Sequence, residues 1–127
     1  MQRSTLLPAA DSTHADQDWG VLTWFASAAL GNSDTMTVGR CVIKPGCGNP
    51  LHHHPNCAEV LVLVQGRIAH TVEGGAEVEM GPGDTLTVPA RVPHRARNIG
   101  SEDAVMFIAF DSAHRQFQLD EEAQGNG

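Results

Sequence analysis

GCGNPLHHHPNCAEVLVLVQG, residues 46–66, carries two signals in one run. Its second half, Glu59 to Gln65, is rich in valine and leucine and ends at Gly66, as a β-strand would. Leu61 and Leu63 share the side of Glu59, while Val60, Val62 and Val64 lie opposite, so the strand is apolar on both faces and both need cover. The first half holds three consecutive histidines. In extended backbone His52 and His54 point to one face and His53 to the other.

Further strands are expected on either side. Met36 to Lys44 stops at Pro45-Gly46, and Arg67 to Glu73 turns at Gly74-Gly75 into Ala76 to Met80. Thr85 to Val88, His94 to Asn98 and Ala104 to Phe110 complete the series. Trp19 to Leu30 is apolar without alternation and leaves both a strand pair and a short helical turn open. Strands every eight to twelve residues with turn signals between them predict an all-β sandwich or barrel. The length of 127 residues suits a single domain. Residues 1–18 are polar and read as a mobile lead-in or an arm on a partner subunit, and residues 119–127 as a disordered acidic tail.

Composition narrows the function. Eight Lys and Arg against fifteen Asp and Glu give a net charge of −7 with no basic stripe, which argues against a nucleic-acid or anionic-membrane partner. Three cysteines, Cys41, Cys47 and Cys57, are odd in number and lack a Cys-x-x-Cys spacing, so reduced thiols and a cytoplasmic location are expected. The N-terminus has too short an apolar run for a signal peptide, and nothing approaches the roughly 20 apolar residues of a membrane span. Seven histidines invite a metal, and the absence of tyrosine removes any mechanism that needs a phenol.

His52, His54, Glu59 and His94 form the candidate ligand set. Three imidazoles and a carboxylate suit one divalent transition ion per chain (Fe, Mn, Ni, Zn, Co or Cu) and suit Ca or Mg poorly. Four protein ligands leave two positions of an octahedral ion open, as catalysis requires. The spacing Gly46-x5-His52-x-His54-x4-Glu59-x6-Gly66 resembles the first cupin motif, and Gly83-x5-Pro89-x-Arg91-x2-His94-x3-Asn98 the second, with Arg91 standing where the family has glycine. The resemblance covers residues 36–112. It implies a conical double-stranded β-helix barrel holding the metal inside on His52, His54, Glu59 and His94, with Gly46, Gly66 and Gly83 supplying turns at positive φ.

Blander roles are expected elsewhere. His53 faces away from the cavity, His70 is a hydrogen-bonded strand residue rather than a cavity acid-base group, and His14 and His114 lie at the surface. Cys57 is a small loop or core residue rather than a thiolate ligand, and Cys41 is core. Arg95 and Arg97 point outward, and Arg91, in the loop before His94, has the reach to hold an anionic substrate at the barrel mouth but is not favoured for it. Trp19, Trp24, Phe25, Met106 and Phe107 are core or subunit contacts, and Leu61, Leu63 and Ile108 line the pocket.

The chain is thus expected to be a metal-dependent enzyme on a small oxygen-rich molecule chelated to the ion, with dioxygenase chemistry resembling that of quercetinase-like cupins. Glu59 doubles as the base. The alternatives are an O2-independent isomerase, cyclase or lyase of a keto-sugar, and a non-catalytic metabolite-binding module. A homodimer would cover the outer face of the Glu59 strand.

Overall fold

In the computed structural model, which describes residues 3–121, every regular element is a strand apart from two single 3-10 turns at Ala9–Asp11 and Glu73–Gly75. The strands are β1 (Thr13–Gln17), β2 (Gly20–Ala26), β3 (Thr37–Ile43), β4 (His52–His53), β5 (Glu59–Gln65), β6 (Ile68–Thr71), β7 (Glu77–Met80), β8 (Thr85–Val88), β9 (Arg95–Asn98), β10 (Ala104–Phe110) and β11 (Gln118–Leu119). One wall is a six-stranded antiparallel sheet in the order β1-β2-β3-β10-β5-β8. The facing wall is β7-β6-β9, which the isolated bridges Gly48 to Arg97 and His52 to His94 join to the β4–β11 ribbon. Two antiparallel walls built from strands distant in sequence make the expected double-stranded β-helix barrel.

Alternation along the strands explains why the barrel closes on its core. In β3 every second residue from Thr37 to Ile43 is buried, and in β5 Glu59, Leu61 and Leu63 are buried while Val60 and Val64 are exposed. Ile43, Leu61, Leu63, Ile68 and Met106 are sealed from solvent between the walls. Gly39 lies under the Trp24 ring, where a Cβ would come within 2.5 Å of Trp24 Cε3, so only glycine lets that indole pack flat on β3. Asn98, the last residue of the second motif, donates from Nδ2 to the carbonyls of Ile43 (2.9 Å) and Glu102 (2.8 Å), tying one wall to the other.

Both chain ends depart from expectation. Residues 13–17, expected in a mobile arm, form β1 against β2 with five paired residues, the chain reversing over the two-residue turn Asp18-Trp19. The open alternative over Trp19 to Leu30 resolves as the strand β2 followed by turns. Residues 119–121, expected to be disordered, are partly ordered: Leu119 pairs with His52, and the Asp120 amide donates to Leu51 O at 3.0 Å. The remainder of that tail, residues 122–127, lies outside the described residues, as do residues 1 and 2. Gly46, Gly66 and Gly83 take φ of 75°, 89° and 93°, as the turns demand. Arg91, in place of the family's glycine, takes φ 69° and so accepts the left-handed conformation despite its Cβ.

Candidate metal centre

The β4 backbone pairs His52 with His94 across the barrel mouth, each amide donating to the other's carbonyl (3.1 and 2.8 Å), so motif one and motif two meet through main chain before any side chain is considered. His54 follows two residues after His52, and Glu59 opens β5 on the neighbouring sheet. One ligand atom from each of His52, His54, Glu59 and His94 lies within 4.8 Å of all the others, and all four residues are buried.

The rings are held for coordination by backbone. His52 Nδ1 lies 2.7 Å from Pro50 O, His54 Nδ1 2.9 Å from Gln116 O, and His94 Nδ1 2.9 Å from Val92 O. A carbonyl only accepts, so each Nδ1 carries the proton, and the Nε2 atoms of His52 and His54 keep their lone pairs for an ion. His54 Nε2 is buried with no hydrogen-bond partner, lying 3.3 Å from Glu59 Oε1 without hydrogen-bond alignment. An orphaned inward-facing nitrogen is what a ligand looks like without its ion. His94 Nε2 donates to Glu59 Oε1 at 3.0 Å, so His94 carries both ring protons here and would serve as a ligand once the Nε2 proton is given up. The donor set fits a divalent transition metal, with His52, His54, Glu59 and His94 as the residues that would hold it.

Electrostatics follow from burial and these neighbours. Burial, reinforced by the His94 charge, pulls the His52 pKa down to about 3, so this ring is neutral and ready to ligate. Burial favours the neutral form of Glu59, but the close His54 ring and the His94 hydrogen bond and charge win and hold its carboxyl well below the usual range. His94 shows the converse: burial pushes its pKa down, and its hydrogen bond and charge pairing with Glu59 carry it above the ordinary value.

Beside these ligands opens a cavity of about 350 Å³, lined mostly by apolar side chains that include Trp19, Trp24, Leu61, Met106, Ile108 and Phe110. Leu61 and Ile108 face it as expected, whereas Leu63 is sealed in the core instead. His70 corrects the bland expectation. Its Nδ1 donates to Thr71 O at 2.9 Å, yet the ring lines the cavity and stacks on His94 at 5.5 Å, and burial lowers its pKa to about 4. Arg91 is exposed and lines a separate shallow groove with Leu51 and Thr71, so it does not reach the cavity. Trp19 and Trp24 are cavity walls, and Phe25 stacks on Phe107 outside the barrel at 6.4 Å.

Other placements agree with the sequence. His53 faces outward and donates to the Asp120 carboxylate at 2.8 Å, and His14 and His114 are exposed. Arg97 is exposed and pairs with Glu77 at 2.9 Å, alternating with the buried Ala96 and Asn98. Cys41, Cys47 and Cys57 are free thiols. Burial pushes the Cys41 thiol up to about 12 and raises that of Cys57, and neither belongs to the ligand cluster. Residues 110–120 were missed as part of the site. Gln116 orients His54, Phe117 stacks on His52 at 4.9 Å, Phe110 packs edge-on against His54 at 4.8 Å, and Arg115 lines the cavity. The one trace of this in the sequence is an arginine bracketed by two phenylalanines in a polar run.

Known proteins resemble this chain in sequence and in fold. Germin-like protein 3-8 of Oryza sativa subsp. japonica is 35% identical over 85 residues, 64% of this chain and 38% of that protein. A Bacillus subtilis oxalate decarboxylase variant superposes with a TM-score of 0.78 at 25% identity, over 87% of this chain and 30% of the other. A second structure of that enzyme, described for its Mn(II) centres, gives 0.76 at 25% identity, over 84% and 29%. The chain therefore spans well under half the length of the proteins it resembles. The Cupin domain family model matches residues 39–110, more than half of the chain, running from within β3 through both ligand motifs to the end of β10, so the protein belongs to the cupin family.

Proposed function

We propose that the chain is an enzyme dependent on one divalent transition metal, acting on a small oxygen-rich molecule that chelates the ion, with dioxygenase-type cleavage as the leading chemistry. The observation that carries this is the convergence of three Nε2 atoms and Glu59 beside an apolar cavity large enough for a substrate. When bound, such an ion supplies Lewis acidity and, for a redox-active metal, a partner for O2.

The chain's own residues supply the rest. Pro50, Val92 and Gln116 carbonyls fix the three rings, and the apolar wall excludes water from the substrate's reacting end. Glu59 is ionised and engaged with His54 and His94, which supports ligand duty first and the base role second. His70, neutral in the cavity, is the other group able to take a proton from the substrate. An O2-independent lyase is the second reading, supported by likeness to decarboxylases.

The test is elemental analysis of untagged protein beside its His52→Ala and His94→Ala variants, followed by an oxygen-electrode screen of β-dicarbonyls, flavonols and keto-sugars. About one ion per wild-type chain and O2 uptake are expected. Turnover without O2 selects the lyase, saturable binding without turnover selects a binding module, and less than about 0.2 ion per metal-replete chain removes the metal assignment.

We also propose a homodimer and a cytoplasmic setting. The outer face of β5 and β10 exposes Val60, Val64 and Phe107 at 44, 45 and 40%, an apolar strip that a second copy would cover. Light scattering should give about twice 13.5 kDa, and a monomer mass would rule the dimer out. Three free thiols suit a reducing compartment, and no helix among the described residues is long and apolar enough to cross a membrane.

A further inference from the structure

Arg115 lies just beyond the last barrel strand and returns its guanidinium to the cavity wall. Three aromatic rings surround it: the guanidinium carbon sits 4.7 Å from the Trp24 ring, 5.1 Å from Phe110 and 5.6 Å from Phe117. These rings fix its plane. They offer no acceptor in the plane of its N–H groups. Nε is buried without a hydrogen-bond partner, and no described carboxylate forms an ion pair with this side chain. Arginine stays charged even where burial works against it, so an unpaired guanidinium facing a cavity is a stabilisation held open for an anion.

Its distance from the ligand set is short. Phe110 contacts both Arg115 and His54, and Phe117 contacts both Arg115 and His52, so one ring separates the guanidinium from the histidines. Charge bookkeeping points the same way. A divalent ion with Glu59 and three neutral histidines leaves one net positive charge, and Arg115 adds a second in the same apolar cavity. The cavity, at about 350 Å³, also has room for an apolar body beyond a two-carbon acid, along Trp19, Leu22, Leu61 and Met106.

We infer that Arg115 anchors the carboxylate of an organic-acid ligand whose apolar body fills the cavity and whose further oxygen faces the histidine cluster. This rests on the proposed function only in that second oxygen; the anchor itself needs no metal.

The experiment measures binding of 4-methyl-2-oxopentanoate and of its methyl ester by quenching of tryptophan fluorescence, Trp24 lying directly under the guanidinium. Wild type, Arg115→Gln and Arg115→Lys are each compared in metal-loaded and chelator-treated form, with metal content and melting temperature measured alongside. Wild type should bind the acid at least about 10-fold tighter than the ester, as a charge-assisted hydrogen-bonded pair requires. Arg115→Gln should abolish that ratio with metal content unchanged, and Arg115→Lys should keep part of it. Equal affinity for acid and ester in wild type, no binding of the acid at 10-fold above a roughly millimolar expectation, or an undiminished ratio in a folded Arg115→Gln variant would each overturn the anchor. The acid-to-ester contrast in wild type needs no variant, so it stands if Arg115→Gln fails to fold. If the ratio depends on Arg115 but metal loading changes neither affinity, the anchor survives and chelation fails. If metal tightens acid and ester alike and Arg115→Gln changes nothing, chelation survives and the anchor fails.

Discussion

Two walls enclose the cavity mouth, and they are built on different rules. The histidine wall, residues 46–59 and 94–98, is spelled out by spacing: alternation puts His52 and His54 on one face, and glycine turns aim them. The adjoining wall, residues 110–120, has no motif and almost no regular structure, yet it supplies the carbonyl that orients His54, the rings against His52 and His54, and the one cation among the described cavity residues. It is held by scattered contacts. The Asn56 amide donates to His114 O at 2.9 Å while its Oδ1 accepts from the Gln116 amide at 2.9 Å, and Thr37 Oγ1 donates to Ser112 O at 2.7 Å. The difference teaches that ligands need fixed sequence spacing, whereas their support needs only a backbone carbonyl in the right place.

That contrast can be broken from its strong side first. His52→Ala or His94→Ala should lower metal affinity by at least about 100-fold in a chelator competition, beyond what outer partners alone cost. Truncation after Ala113 should leave the four ligands in place yet lower affinity by about 10- to 100-fold, since it frees the His54 ring. Wild-type affinity in the truncated protein would show that the motif wall is self-sufficient.

Acid should separate the walls next, through the metal-free protein. His52 and His70 have folded pKa values of about 3 and 4 against an ordinary 6.5, so between those limits the unfolded chain holds protons that the folded chain refuses. Stability from their burial as neutral rings is whole above about pH 6.5 and drains as pH falls toward 4, and lowered Glu59 adds the same trend below about 4.5. His94, raised, works the other way: its contribution is full below about 6.5 and is lost as pH rises through its folded value. The melting temperature in chelator should drop by about 5 °C or more from pH 6.5 to 4, and a rise over that interval would contradict the assignment.

Smaller effects are expected at the seams. Asp120→Asn weakens a partly exposed hydrogen bond from His53 and should cost under about 1 kcal/mol in thermal unfolding, with metal affinity changed less than about 3-fold. Arg91→Gly should raise stability by at most about 1 kcal/mol, the strain of a side chain at φ 69° less the entropy that glycine adds to the unfolded chain.

Legibility in the sequence followed the same division. Strand periodicity located β5, β8 and β10 to the residue, and the ligand spacing named four side chains that do meet in space. β1 was not legible because its sequence, THADQ, is polar and earns its place only as an edge strand beside β2. His70 was not legible because strand alternation says that it is buried but not that the buried side opens on a cavity. Arg115 and Phe117 were hidden because their position depends on Asn56 and Thr37, far away in the chain, rather than on any local period.

The pairing of Gln118–Leu119 with His53 and His52 also joins two equilibria. Peeling β11 away strips backbone partners from the strand that holds His52 and removes the carbonyl that orients His54, so the opened form is a poorer binder of the ion. A ligand that favours the closed form stabilises it in proportion to the logarithm of its concentration over Kd, at this edge above all. Amide exchange at Asp120, whose N–H reaches Leu51 O, is therefore a gauge of occupancy that needs neither substrate nor turnover, and it should slow as the ion is titrated in.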